Sequence, residues 1–216
     1  MSFKFVRDNI TEQKRLSRFR QRVEIQAQEG NQIVVDGKSY INFSSNDYLG
    51  LAQHSEIKAQ FIEGVEKFGA SASSSSLVTG THYAHRALED KVCEWLNKEH
   101  CLLFSSGFAA NVGFLNTFGK SNTQYVLDKL SHASIIDGAY TSSASVKRFP
   151  HNNMEKARAL LTGNSALYSI VVSEGIFSMD GDSAEIEQLS DLAKQANALF
   201  YCDDAHAIGV VGNKGE

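Results

Sequence analysis

Asp203, Asp204 and His206 follow directly on the apolar run Ala198-Leu199-Phe200-Tyr201-Cys202, so two carboxylates and an imidazole stand just past a strand-like segment. The two carboxylates are material for a metal or for an acid/base pair, and the imidazole is a further ionisable group beside them. A second apolar run, Ile170-Val171-Val172-Ser173, ends the same way and leads into Glu174-Gly175-Ile176-Phe177-Ser178-Met179-Asp180-Gly181-Asp182. A third, Leu102-Leu103-Phe104, passes through Ser105-Ser106-Gly107-Phe108 into a helical pattern. Free N–H groups at such a helix start attract a phosphate, and Gly107 lets a ligand approach the backbone. An ordinary strand-to-helix turn has the same local look. His132 follows Ser131, an N-cap candidate, and reads either as a helix-start or surface residue or as a catalytic group. Its company favours the second: Gly107, His132, Ser178, Asp203 and His206 all fall just past strand-like runs. A parallel sheet gathers such positions along its carboxyl edge, where open α/β sheets bind ligands.

Two other patterns carry less. Neighbouring strand residues face opposite sides, so one of Asp203 and Asp204 is expected in the site. No histidine-rich or Cys-x-x-Cys spacing supports a metal. The closing Gly209-x-x-Gly212-x-x-Gly215 lacks the spacing and position of a dinucleotide loop and reads as a plain loop.

The elements that must position these residues follow from periodicity. The chain to about Ala27 reads as a basic helix. Ile33-Val34-Val35 and Tyr40-Ile41-Asn42-Phe43 flank Asp36-Gly37, the signature of a hairpin. Apolar residues at 57, 61, 65 and 68, with Ser55 and Gly69 as caps, predict an amphipathic helix over 55–68. Ser71 to Ser76 is almost pure serine, but short and flanked by apolar residues, and reads as an ordered loop. A helix carrying Leu88, Val92, Trp95 and Leu96 on one face follows. Strand-like runs at 101–105, 125–128, 145–149, 167–173 and 198–202 then alternate with helical patterns near 108–118, 132–140, 153–162 and 184–196. That alternation predicts an α/β fold with a mostly parallel sheet covered by helices on both faces.

With 216 residues, 42% hydrophobic and 21% charged, the chain can bury a substantial core. A net charge of -4 gives no global attraction to nucleic acid, although residues 1–22 hold seven Lys or Arg against two acids. A solvated helix face accounts for that excess. Cys93, Cys101 and Cys202 are odd in number and lie in apolar contexts, which predicts free thiols in a reducing compartment. Charges interrupt every apolar stretch near the start, so no signal peptide or membrane span is expected, and the protein is expected to be cytoplasmic.

Taken in order, Ser45-Asn46-Asp47-Tyr48-Leu49-Gly50, Ser106-Gly107-Phe108-Ala109-Ala110-Asn111, Leu130-Ser131-His132-Ala133-Ser134, Glu174 to Asp182 and Asp203-Asp204-Ala205-His206 form a pattern. It resembles the α-oxoamine synthases, pyridoxal-phosphate (PLP) enzymes of the aspartate-aminotransferase type, fold type I of the PLP-dependent transferases. The resemblance implies PLP as cofactor and a decarboxylative condensation of an amino acid with an acyl thioester, here L-alanine with pimeloyl-CoA or a pimeloyl carrier protein, in a homodimer. A glycine-dependent condensation and a non-catalytic remnant that binds cofactor or a partner stay open as alternatives. By resemblance, Asp203 pairs with the pyridine nitrogen, and His132 stacks on the ring and serves proton transfer. Ser178 and His206 bond the phenolic oxygen, and the Gly107-Phe108 backbone holds the phosphate. Arg20 matches an arginine used on the acyl substrate, with Arg18 and Arg22 close by, and Asn46 is a second substrate-side candidate that equally suits a turn.

The resemblance also sets expected boundaries: an N-terminal helix and hairpin segment over 1–45, an incomplete PLP-binding large domain over 46–216, and a small C-terminal domain beyond the chain. It places the Schiff-base lysine in a Thr-Phe-Gly-Lys type motif after Glu216, which Lys214 does not match. Where relatives have a glycine-rich loop this chain has Ser71 to Ser76, so any position there needing positive φ is expected to carry strain.

Overall fold

The computed structural model describes residues 3–163 and 165–215. The chain forms two compact units, Met1–Lys58 and Ala59–Glu216.

The first unit holds α1 (Lys4–Arg15) and a three-stranded antiparallel sheet of β1 (Ala27–Glu29), β2 (Gln32–Val35) and β3 (Lys38–Ile41), in that spatial order. Asp36 and Gly37 turn the hairpin at φ 50° and 71° between the paired residues Val35 and Lys38, as their residue types require. The basic helix is shorter than expected, because it ends at Arg15 rather than near Ala27. Ser17 turns left-handed at φ 55° and the Arg18 N–H bonds back to the Gln13 carbonyl at 2.8 Å. Residues 16–26 are all exposed, so no burial offsets the cost of extending a helix, and the Gln26 N–H instead joins the sheet at the Val34 carbonyl.

α2 (Ser55–Phe68) matches its periodicity end to end, and the Gly69 N–H closes it on the Val65 carbonyl. Ser71 to Ser75 has no regular structure and leads into one π-type turn at Ser76–Gly80; Ser73 sits at φ 59°, the strained conformation expected where glycine is replaced. Then come α3 (Tyr83–Leu96), α4 (Gly107–Phe118), β4 (Thr123–Asp128), α5 (Ala133–Thr141), β5 (Ser145–Phe149), α6 (Met154–Thr162), β6 (Tyr168–Glu174), α7 (Ile186–Gln195) and β7 (Leu199–Asp203). The four strands form a parallel sheet ordered β5-β4-β6-β7.

Period-two alternation divides the core between the two faces of this sheet. Val126, Phe149 and Val171 pack with Ala157 and Leu161 of α6 and Leu189 and Leu192 of α7. Tyr125, Leu127, Ile170 and Val172 pack on the other face with Leu115 of α4 and Ile135 and Ala139 of α5. The buried Tyr125 hydroxyl is satisfied by the Leu115 carbonyl at 2.5 Å. One expected strand is absent: residues 101–105 pair with no strand among the described residues. A β-rich segment becomes a strand only when a partner accepts its backbone bonds, and the sheet ends at β7 on one side and β5 on the other. Among the described residues no helix is long and apolar enough to cross a membrane. Cys93, Cys101 and Cys202 are free and half-buried.

Candidate active site

The parallel register delivers the carboxyl ends of β4, β6 and β7 to one edge, with Glu174 paired opposite Asp203. There Gly107, Phe108, Asn111, His132, Ser134, Glu174, Asp203, Ala205 and His206 line a cleft of about 180 Å³. That is smaller than a site for a whole drug-sized ligand and suits one planar ring. Gly107, Phe108, His132, Asp203 and His206 of the sequence-predicted residues thus share one cleft. Ser178 lies exposed in the turn after β6 and is not among the lining residues. Arg20 and Asn46 belong to the Met1–Lys58 unit, where both are exposed. In that unit Asp47, rather than Asn46, caps the turn that follows, accepting the Leu51 N–H at 2.8 Å.

Each wall has a local cause. Ser106 caps α4, its hydroxyl accepting the Ala109 N–H at 3.1 Å, and so leaves the Gly107 and Phe108 N–H groups without intrahelical acceptors at the positive end of the helix. His132 is the N-cap of α5, its Nδ1 accepting the Ser134 N–H at 3.3 Å. Asp203 ends β7; one carboxylate oxygen accepts the Asn111 amide at 2.7 Å and the other the Ala205 N–H at 3.1 Å. Asp204 turns away to the other side, where Gly175 makes room: a Cβ on Gly175 would meet the Asp204 Oδ1 at 2.0 Å.

Glu174, Asn111 and Ser134 were not singled out from the sequence. Glu174 is buried, and its carboxylate accepts the backbone N–H groups of both His132 and Ser178, tying together two of the predicted residues. A glutamate ending an apolar strand, rather than facing solvent from a helix, was the available signal. Asn111 is the only polar side chain between Gly107 and Leu115, another mark of a buried network.

The electrostatics all run one way. Burial, together with the charges of Asp203 and Asp128, pushes Glu174 up to about 7 against the pull of its two N–H donors. Burial and then Asp203 raise Asp204. Burial foremost, with nearby carboxylates, drives the Tyr201 hydroxyl and the Cys202 thiol to about 12. Cys202 is therefore no thiolate nucleophile. Asp203 adds to every one of these shifts, so the edge holds an excess of negative charge that a cationic atom beside Asp203 would relieve. Among the described residues no cluster of His, Cys, Asp or Glu is arranged for a metal ion.

The model of the family described as aminotransferase class I and II matches residues 38–216. This chain belongs to that family. The 8-amino-7-oxononanoate synthase of Salmonella paratyphi B is 40% identical over 210 residues, 97% of this chain and 54% of the relative. Among solved structures, the serine palmitoyltransferase of Sphingomonas wittichii superposes with a TM-score of 0.90 at 29% identity, covering 97% of this chain and 54% of that one. A serine palmitoyltransferase of S. paucimobilis, solved with PLP and myriocin bound, gives a TM-score of 0.89 at 27% identity, covering 99% and 56%. The chain thus spans about half the length of the relatives it matches.

Proposed function

We propose that this aminotransferase-family chain is part of a PLP-dependent 8-amino-7-oxononanoate synthase, which condenses L-alanine with a pimeloyl thioester in biotin biosynthesis. The observation that carries the reading is the single cleft joining an unpaired helix start, an imidazole and the Asp203 carboxylate at a sheet edge rich in negative charge. The names of the relatives and the PLP in the S. paucimobilis structure support it.

The donor set fits that cofactor: a cationic pyridinium answers the negative edge at Asp203, and a phosphate suits the N–H groups of Gly107 and Phe108. PLP supplies an electron sink for the carbanion that such a condensation requires. Asp203 would keep the proton on the ring nitrogen, and its partial burial would strengthen that pairing. His132 would cover the ring face and manage a proton, and His206, with Ser178 from the turn outside the cleft lining, would orient the phenolic oxygen. Glu174 fixes the backbone from which two of these groups project. Arg20, whose guanidinium suits bidentate pairing with the distal carboxylate of a pimeloyl chain, and Asn46 serve the substrate. The protein works as a cytoplasmic homodimer, with CoA or a carrier protein leaving as free thiol along with carbon dioxide.

The test is thiol release by the full-length protein supplied with PLP, a pimeloyl thioester and either L-alanine or glycine. Turnover with alanine well above that with glycine is expected. Preference for glycine would assign the 2-amino-3-oxobutyrate CoA ligase reaction instead, and no release with either would overturn the reading.

A further inference from the structure

Three hydrogen bonds connect Asp203 to His132 through the interior of the fold, and a fourth anchors the middle of the path. Asn111, 4% exposed on α4, uses both hydrogens of its side-chain amide: one goes to Asp203 Oδ2 at 2.7 Å and the other to the Ser134 hydroxyl at 2.8 Å. Its carbonyl accepts the Tyr201 hydroxyl at 2.5 Å. Ser134, fully buried, lies 2.7 Å from His132 Nδ1.

Donor and acceptor roles in this chain are set by chemistry. A flipped Asn111 amide would set its carbonyl against the Asp203 carboxylate, two acceptors facing each other with no proton between them. Tyr201 stays a hydroxyl, since burial foremost, with the charges of Asp203 and Cys202, lifts its titration to about 12. The Ser134 backbone N–H also points at His132 Nδ1, at 3.3 Å, and a backbone N–H can only donate. Nδ1 must therefore present its lone pair, so the Ser134 hydroxyl, already accepting from Asn111, donates to it. A neutral imidazole has one N–H, and here it falls on Nε2.

We infer that Asn111 is a positioning residue that, through Ser134, holds the neutral His132 ring with its proton on Nε2 and couples that ring to Asp203. The ring then meets its surroundings as a hydrogen-bond donor from Nε2. The sharing of one amide between the two groups means that a ligand drawing on the Asp203 carboxylate also tightens the hold on His132. This role rests on the PLP reading only for its catalytic meaning; the tautomer itself does not.

The experiment is ¹⁵N NMR of the histidine rings in the full-length apoprotein, labelled at histidine and recorded where the rings are neutral, with His132 assigned by the difference from a His132→Gln variant. The expected wild-type pattern is a protonated Nε2 and a hydrogen-bonded, unprotonated Nδ1. Ser134→Ala leaves the backbone N–H at 3.3 Å as the remaining donor on Nδ1, and Asn111→Leu frees the Ser134 hydroxyl to accept, so each is expected to weaken the Nδ1 hydrogen bond and admit a detectable fraction of the Nδ1–H form. A wild-type His132 protonated on Nδ1 overturns the inference, whatever the variants do. So does an unchanged His132 pattern in an Asn111→Leu or a Ser134→Ala protein with native circular dichroism. Thiol release failing while the tautomer is as expected would overturn the functional reading and leave the relay standing.

Discussion

At the scale of the residue, Asp203 and Glu174 are two carboxylates on adjacent strand ends with opposite duties. Asp203 offers its charge to the cleft, whereas Glu174 is buried and holds backbone N–H groups. Asp203→Asn removes the charge and keeps the shape, so kcat of the full-length enzyme is expected to fall on the order of 100-fold or more, with the PLP affinity reduced, as steady-state kinetics and a cofactor titration would reveal. For Glu174 the folded pKa of about 7 lies above the ordinary glutamate value of 4.5. A raised carboxyl contributes stability that is complete below the unfolded pKa and lost as pH rises through the folded one, so this group weakens the apoprotein between about pH 4.5 and 7. Glu174→Gln cannot ionise and keeps an acceptor for the His132 N–H. It is expected to raise stability by at most about 3 kcal/mol at pH 8 and by little at pH 5, measured by denaturant unfolding at both pH values.

At the scale of the element, the site depends on how segments end. Ser106→Ala removes the cap of α4 and is expected to cost about 1 kcal/mol in denaturant unfolding while loosening phosphate binding at Gly107 and Phe108. A second device joins the end of β4 to the turn that carries Ser178. Fully buried Asp128 accepts the Leu130 N–H at 2.8 Å and the Asn152 N–H at 3.0 Å, and its carboxylate meets His151 Nδ1 at 3.1 Å. His151 Nε2 reaches Asp182 at 2.7 Å while its ring stands edge-on to Phe177, centroids 4.4 Å apart. Burial alone would lower His151, but its bonds to Asp182 and Asp128 outweigh that and raise it. Its contribution is thus complete below the ordinary imidazole range and fades as pH rises through the raised value. Asp182→Asn is expected to flatten the fall of melting temperature above about pH 6.5, read by scanning calorimetry across pH 6 to 8.5.

Elements were legible in the sequence where their cause is local. Residues 57, 61, 65 and 68 define α2, and Asp36-Gly37 defines its hairpin, without reference to anything distant. Residues 101–105 carry the same β-rich signal as β4 and still form no strand, because pairing is a property of two segments. The helix expected to Ala27 stops at Arg15 for a related reason, since Leu16, Phe19 and Val23, at helical spacing, stay exposed and no burial supports a longer helix. The cleft was legible as strand ends at His132, Asp203 and His206, while Gly107 and Phe108 follow a segment that forms no strand; Asn111, Ser134 and Glu174 were not legible, because a buried polar group announces itself only through partners far along the chain.

At the scale of the whole molecule, the parallel sheet is the rigid base on which the edge is built. Leu189 is fully buried against Val126 and Val171, and Leu189→Ala is expected to cost about 2–5 kcal/mol, scored by the denaturant midpoint, with PLP affinity little changed at temperatures where the variant stays folded. The same unit leaves Phe61, Ile62, Leu77 and Val78 largely exposed, more apolar surface than a solitary chain usually shows, which is what the proposed homodimer would cover. Where the cofactor sits is decided by a crystal structure of the full-length protein grown with PLP. The expected result has the ring nitrogen within about 3.2 Å of an Asp203 carboxylate oxygen, with the phosphate on the Gly107 and Phe108 N–H groups. A PLP bound elsewhere, or in this cleft with its ring nitrogen turned away from Asp203, would contradict it.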